Sequence, residues 1–484
     1  MKLLISGHDF RFAVEQLQLQ LFPDAPMEPV TEPFKGDGAI SSLHRGQTWL
    51  TATATVRLGD REAYARRRLA AKDAEYTRIR RLVQQAYYLA AVQLLAAPPA
   101  WGALSGVRPT KLTTRHLLAG GTPASAEKLL EREYFVSEPR RKLCVDTSLA
   151  TVQAMQQIAP EDISIYIGIP FCPTRCAYCS FVSLGIERFA DLLPPYLDAL
   201  IREIERTGEL LAVSGKRIRT LYMGGGTPTT LNTPQMSRLL HAIQTNFDLS
   251  HLIEYTVEGG RPDTLDLEKL SAIRTLGADR MSINPQTMND VVLHAIGRSH
   301  STAQTLQAFQ AAKAAGFDGI NMDLIAGLPE DTVESYLQSL HQVIALEPSN
   351  ITVHTLALKK GADLYFNRAK LPDSDAVGQM LSRGEQALRQ AGYQPYYLYR
   401  QKYMSGSFEN VGWCKPGYIG YYNIYMMEEL HTVLSLGGGG VSKVNLPNGK
   451  LTRFSNPKYP KEYIERIDHV LQQKEQIFSL LREE

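Results

Sequence analysis

The sequence is short of several things. Of its 484 residues only five are Cys and three are Trp. Five cysteines, three of them in one short loop, do not make a disulfide framework. They suit a reducing compartment, where thiolates stay available to metal. Neither charge is in excess: 52 Lys and Arg stand against 50 Asp and Glu, a net charge of +2. Nothing global therefore argues for a nucleic-acid partner or a membrane surface. Long apolar runs are missing too. The most apolar window, AYYLAAVQLLAAPPAWGAL, contains Gln93 and is broken by Pro98–Pro99, so it falls short of a membrane span. The opening MKLLISGHDF has an apolar run too short for a signal peptide. A cytoplasmic protein is the expectation. What is present is ordinary: 44% hydrophobic and 21% charged residues fit a globular protein, and the length calls for two or three domains.

Residues 1–150 read as a separate α+β domain. MKLLIS suggests a strand, FRFAVEQLQLQLF has helical spacing, and TWLTATATVRL alternates strongly before a turn at Gly59–Asp60 into REAYARRRL. A longer helix is expected at about 73–96. Arg66, Arg67 and Arg68 read as a solvated face, or as a carboxylate pocket, since Arg matches a carboxylate with a bidentate fork. Arg108, in WGALSGVRPTKL, is a substrate anchor or part of a structural turn.

From 163 to 358 strand and helix patterns alternate six times. Strands are expected at 163–169, 218–223, 253–258, 279–284, 319–325 and 350–357. Helices are expected at 190–213, 234–245, 263–275, 301–315 and 331–346. This alternation predicts a parallel sheet with helices outside, an incomplete relative of the eight-stranded β/α barrel. The barrel domain spans 151–375. Residues 376–484 read as a smaller C-terminal α+β cap that covers substrate. It opens on a helix (376–391), continues through the Tyr-rich YQPYYLYRQKYM and four glycines at 437–440, and ends on a helix from about 460. Its tyrosines suit either a planar ligand or a packed core.

The chain is organised around ISIYIGIPFCPTRCAYCSF, residues 163–181. Alternating isoleucines make a strand that Pro170 ends, and Cys172, Cys176 and Cys179 follow at C-x3-C-x2-C. Three thiolates on one loop take three corners of an iron–sulfur cubane and leave one iron open. The alternatives are a structural zinc site, whose fourth ligand would have to be the distant Cys144 or Cys414, and three inert thiols. In a β/α barrel chemistry sits at the C-terminal strand ends, and polar residues recur there. Gly224–Gly225–Gly226–Thr227–Pro228 follows strand two, Glu258 ends strand three, Gln286 lies just past strand four, and Asp323 lies in strand five. Triple glycine lets backbone approach a ligand closely. Glu258 and Asp323 can accept from an ammonium or ribose hydroxyls, or form salt bridges. Arg298 can hold a carboxylate or sit at a solvated helix start. His354 reads as a core histidine, and Cys414 as an inert buried thiol.

Together with the cysteine spacing, Tyr178 before the third cysteine, IYIGIPF, GGGTPT, NPQ and NMDLIAGLP resemble the radical S-adenosylmethionine (SAM) superfamily. Within it they resemble the oxygen-independent coproporphyrinogen III oxidases (dehydrogenases), over roughly 160–445. WGALSGVRPTKL and ENVGWCKPG look most like the HemZ-type subgroup. The resemblance implies that Cys172, Cys176 and Cys179 hold a [4Fe–4S] cluster. It implies that Gly225, Gly226, Thr227, Glu258, Gln286, Arg298, Asp323 and Ala357 contact SAM, that Tyr166 lies beside the cluster with a catalytic part, and that Tyr178 is the aromatic before the last cysteine. The implied reaction converts two propionates of coproporphyrinogen III to vinyl groups, giving protoporphyrinogen IX, with an electron from a low-potential donor such as flavodoxin or ferredoxin. The alternatives are a heme chaperone of the same family and an enzyme acting on another tetrapyrrole, for instance in anaerobic heme breakdown. Two departures stand out. Cys179-Ser180-Phe181 lacks the further cysteine usual in the decarboxylases, as in the heme chaperones. Gly168 replaces a family histidine.

Overall fold

The computed structural model describes the chain apart from residues 24, 181, 358–361, 364–370, 402–404, 447–448 and 483–484. Part of the Tyr-rich stretch (402–404) and Phe181 thus lie outside the described residues. The chain divides into two compact units. One is Met1–Asp146 with a short return around Arg400 and Phe408, and the other is the remainder.

In the first unit β1 (Lys2–Ser6), α1 (Arg11–Leu21), β2 (Glu28–Val30), β3 (Gly38–Arg45), β4 (Trp49–Leu58), β5 (Arg61–Ala70) and α2 (Tyr76–Ala91) make a five-stranded sheet, order β2-β1-β3-β4-β5, with helices on one face. The alternation of β4 sets that face. Leu50, Ala52, Ala54 and Val56 are buried, and they pack in one core with Val14, Leu17, Val83 and Ala86 of the helices. The β4–β5 hairpin closes on Gly59–Asp60. Arg66 and Arg68 lie opposite Thr53 and Thr51 and are exposed, so the solvated reading holds for them. Arg67 is exposed too, and donates to Gln85 at 3.4 Å. Helices α3 (Thr110–Leu118), α4 (Pro123–Tyr134) and α5 (Glu138–Met155) follow. Arg108 is half-buried in the turn that leads into α3.

The second unit carries the expected parallel run. Strands β6 (Asp162–Ile169), β7 (Arg217–Gly225), β8 (Glu254–Glu258), β9 (Arg280–Gln286), β10 (Gly319–Ala326) and β11 (Asn350–Thr355) lie side by side in sequence order, all parallel. Between them run α6 (Leu193–Ala212), α7 (Thr233–Asn246), α8 (Leu267–Thr275), α9 (Asp290–Ala295), α10 (Thr302–Ala314) and α11 (Val333–Ala345). Strands covered on both faces read as apolar runs, which is why β6 is buried nearly throughout. Capping boxes start α7 at Asn232 and α10 at Ser301. The short α9, ahead of Arg298, has no counterpart in the sequence expectation.

Residues 376–484, read as a cap, extend this same sheet at both edges. Helix α12 (Ser374–Gln390) leads into β12 (Gln394–Arg400). Strand β13 (Glu409–Cys414) runs antiparallel on β11. After α13 (Tyr421–Glu428), β14 (Val433–Leu436) returns to pair parallel with β6. Strands β15 (Val441–Asn445) and β16 (Leu451–Ser455) continue beyond it, and α14 (Pro460–Glu465) and α15 (Ile467–Arg482) finish the unit. The eleven strands run β12-β13-β11-β10-β9-β8-β7-β6-β14-β15-β16, and among the described residues the two edges do not meet. The result is a partial, open (β/α)6 barrel.

Candidate functional site

The site is built at the C-terminal ends of β6 to β11. Past β6, Phe171 and Cys172 pair with Leu184 and Gly185 in a small two-stranded bridge. The glycine turn after β7 docks on this segment. Gly226 N–H donates to Ile169 O at 2.8 Å and Thr227 N–H to Phe171 O at 2.7 Å. A Cβ at Gly226 would lie 2.5 Å from Phe171 O, so only glycine permits this approach. Thr227 Oγ1 donates to Cys172 Sγ at 3.5 Å. Cys172, Cys176 and Cys179 are all half-buried. Burial pushes the Cys172 thiol up, and the hydroxyls of Thr227 and Ser183 pull it back.

The loop is held from outside by the chain around α9. Ala177 N–H donates to Ile296 O at 3.0 Å, and Arg298 Nη2 donates to the Tyr178 hydroxyl at 3.0 Å. Arg298 is buried, its Nη1 donates to Asn284 O at 2.5 Å, and it also reaches Cys176. Its role is therefore not that of a solvated helix start. Tyr178 packs with Val292, Leu293, Ile325 and Leu356.

Inside the sheet Tyr166 and Tyr222 are register partners, and their rings stack with Tyr422 of α13 at centroid distances of 6.4, 6.4 and 4.5 Å. Burial holds all three hydroxyls well above their ordinary pKa, as phenols. Tyr222 Oη donates to Glu258 Oε1 at 2.5 Å. Burial pushes the Glu258 acid up to about 7. No basic residue forms an ion pair with Glu258 among the described residues, so the salt-bridge alternative does not hold for it. Asp323 accepts from Asn321 Nδ2 at 2.7 Å and faces His354 Nε2 at 3.7 Å. Burial opposes ionisation of Asp323, but His354, Asn321 and Thr352 outweigh it and hold its acid below the ordinary aspartate range. His354 belongs to this polar rim and not to the core, which corrects the sequence expectation. Ala357 lies two residues past β11, half-buried.

Gln286 has φ of +69° at the end of β9, where the register with β10 shifts. A non-glycine residue in that region stores strain. Its Oε1 is buried without a hydrogen-bond partner, and so is Nε of Arg298. The orphaned cationic donor lies against the three-thiol loop, and together with the orphaned acceptor at the end of β9 it fits a ligand that carries both a donor group and a carboxylate, next to thiolate-held iron. Among the described residues no three His, Cys, Asp or Glu side chains are drawn together as ligands of a single metal ion.

Of the tyrosines of the C-terminal block, Tyr393, Tyr396, Tyr397 and Tyr425 are buried core residues, whereas Tyr422 joins the stack at the site. Cys144 and Cys414 are buried, the latter with its thiol pushed up to about 12 by burial. A side chain at Gly168 would fit tightly, since a Cβ there would lie 3.1 Å from Gly438 O and 3.4 Å from Leu436 O. The sequence reading missed Tyr222 and Arg261 and placed His354 in the core. Counting back two residues from Gly224 along β7 would have found Tyr222, which shares its face.

A partial β/α barrel with a three-cysteine loop at its first strand end defines a radical SAM protein, and the model of the radical SAM superfamily matches residues 166–343. The oxygen-independent coproporphyrinogen-III oxidase-like protein HemZ of Bacillus subtilis is 40% identical over 390 residues, 78% of each chain. The heme chaperone HemW of Haemophilus influenzae is 31% identical over 62% of this chain and 76% of that protein. The structure of the coproporphyrinogen III oxidase HemN of Escherichia coli, a radical SAM enzyme, superposes with a TM-score of 0.54 at 25% identity, covering 67% of this chain and 73% of that one. The chain belongs to the radical SAM superfamily and, within it, to the oxygen-independent coproporphyrinogen III oxidase family, beside HemZ. Its cofactors are those of the superfamily, a [4Fe–4S] cluster and SAM. No helix of the described residues is long and apolar enough to cross a membrane.

Proposed function

We propose that the chain catalyses oxidative decarboxylation of coproporphyrinogen III, turning two propionates into vinyl groups. Supporting it is the 40% identity to an oxidase-like protein across a span that includes every residue of the barrel mouth. Cys172, Cys176 and Cys179 hold the cluster in this reading. Gly225, Gly226, Thr227, Glu258, Gln286, Arg298, Asp323 and Ala357 hold SAM, with Tyr166 and Tyr178 beside it. When bound, cluster and SAM supply a one-electron reductive cleavage that yields a hydrogen-abstracting radical. The chain's own residues do the rest. Arg298, through its orphaned Nε, takes a carboxylate, and Gln286 Oε1 takes a donor. Glu258 and Asp323 accept from hydroxyl or ammonium groups, and the Tyr166–Tyr222–Tyr422 stack, buried at Tyr422 and half-buried at Tyr166 and Tyr222, limits the access of water from below. At each propionate of the substrate a β-hydrogen atom and CO2 leave, one electron passes to an external one-electron acceptor, and the vinyl group remains. Tetrapyrrole substrate and a low-potential electron donor are the implied partners.

Anaerobically reconstituted protein given coproporphyrinogen III, SAM and reductant should release CO2 and form a divinyl product. Absence of both refutes the assignment. The second reading, a heme carrier, draws on the HemW relatives and on Cys179-Ser180-Phe181, which lacks a fourth nearby cysteine. Stable heme binding without product would favour it. In either case Cys176→Ala should abolish brown colour and iron; retained iron and absorbance would overturn the ligand assignment.

A further inference from the structure

Arg261 sits in the turn after β8 and is only 2% exposed. A guanidinium has five N–H donors and no acceptor, so a buried one demands five partners. All five are accounted for. Nε and Nη2 fork onto Asp263 at 3.0 and 3.1 Å, and Nη2 also donates to Ser299 Oγ at 2.7 Å. Nη1 donates to Thr174 Oγ1 at 2.9 Å, and its remaining proton is directed at Cys176 Sγ, 4.0 Å away. Four of the five acceptors are oxygens that fix the guanidinium plane, and the fifth is a sulfur of the cysteine loop. A buried ion pair adds little net stability against an apolar substitute. This one ties the turn after β8 and the segment after α9 to the middle of the cysteine loop, and it is pre-aimed.

We propose that Arg261 is a positioning residue for the Cys176 sulfur, fixing the loop and raising the reduction potential of the cluster that the sulfur serves. The proposal rests on the reading that Cys172, Cys176 and Cys179 hold the cluster. Its physical basis is that an N–H and a positive charge directed at a cluster sulfur favour the more negative, reduced state. Lysine keeps the charge but has three donors and no fork, so it cannot reproduce the contact set.

The test uses the full chain, reconstituted anaerobically with iron and sulfide and titrated with dithionite in the presence of mediators. R261Q should retain the iron of one cluster, with a reduction equilibrium about tenfold less favourable, about 59 mV lower for one electron. R261K should shift in the same direction by less. Thermal melting of each variant checks that the fold is intact. An iron-loaded, folded R261Q with an unchanged midpoint potential overturns the proposal, and R261K decides in the same way should R261Q not fold. Cys176→Ala keeps the two failures apart: iron retained there sinks the ligand reading, whereas iron lost there with an unmoved R261Q potential sinks only the role of Arg261.

Discussion

A glutamine with φ of +69° at the tip of a strand, its side-chain oxygen buried and unpartnered, is an expensive arrangement for a fold to keep. In the sequence Gln286 stands out only by its place just past strand four; neither the strain nor the orphaned oxygen has a local signature. Glu258 was legible as a strand-end carboxylate, but its partner was not, because Tyr222 reaches it across the β7–β8 pair. With its acid pushed up to about 7, Glu258 accepts a hydrogen bond as a full carboxylate only above that pH. SAM affinity, measured by calorimetry at several pH values, should weaken by up to about tenfold per unit below 7, and Glu258→Gln should flatten the profile. Stability has the opposite slope. A carboxyl that folding makes harder to ionise favours the folded chain while protonated. That contribution is present below the usual glutamate range near 4.5 and is lost as pH rises through about 7. Asp323→Ala should raise the Kd for SAM by about tenfold or more, the weight of a hydrogen bond to a charged group, and leave the iron content unchanged; an unaltered Kd would remove Asp323 from the site.

Strand β6, which launches the cysteine loop, is flanked by β7 on one side and β14 on the other. The contact with β14 is unusually close at its end. A Cβ at Gly437, whose φ is +87°, would lie 2.4 Å from Gly168 O. Tyr196 Oη donates to that same carbonyl at 2.6 Å and accepts from Gly438 N–H at 2.8 Å. Behind it Glu203 and Lys474 form a fully buried pair at 2.9 Å, with Gly437 N–H, Asn456 and Tyr463 also donating to Glu203. Gly437→Ala should destabilise the second unit by about 1–3 kcal/mol through overpacking at a positive φ. Lys474→Met, which leaves a buried carboxylate unpaired, should cost about 3–5 kcal/mol. Urea unfolding checks both. The six barrel strands were legible because a strand covered on both faces leaves a continuous apolar run. The placement of β14 was not, because pairing between strands so far apart in sequence has no local pattern; the four glycines pointed to something, and close backbone contact turned out to be its content.

The molecule as a whole comprises two compact units, and the chain enters the first one twice, since Arg400 donates to Leu104 O and to Ser407 O within it. Composition and length made two or three domains readable, but not this return. Calorimetry of the full chain should show two transitions, since separate units need not melt together, and the visible absorbance of the cluster should vanish with only one of them. A single transition shared by both probes would count against independent units. Burying β6 between a neighbour made early and one made late also has a consequence for biogenesis. The ribosome delivers the cysteines first and Val433–Leu436 only much later, at about 5–20 residues per second. Until then the strand beneath the loop is an open edge. Iron delivered before that point would meet a loop whose supporting strand has only one of its two neighbours in place.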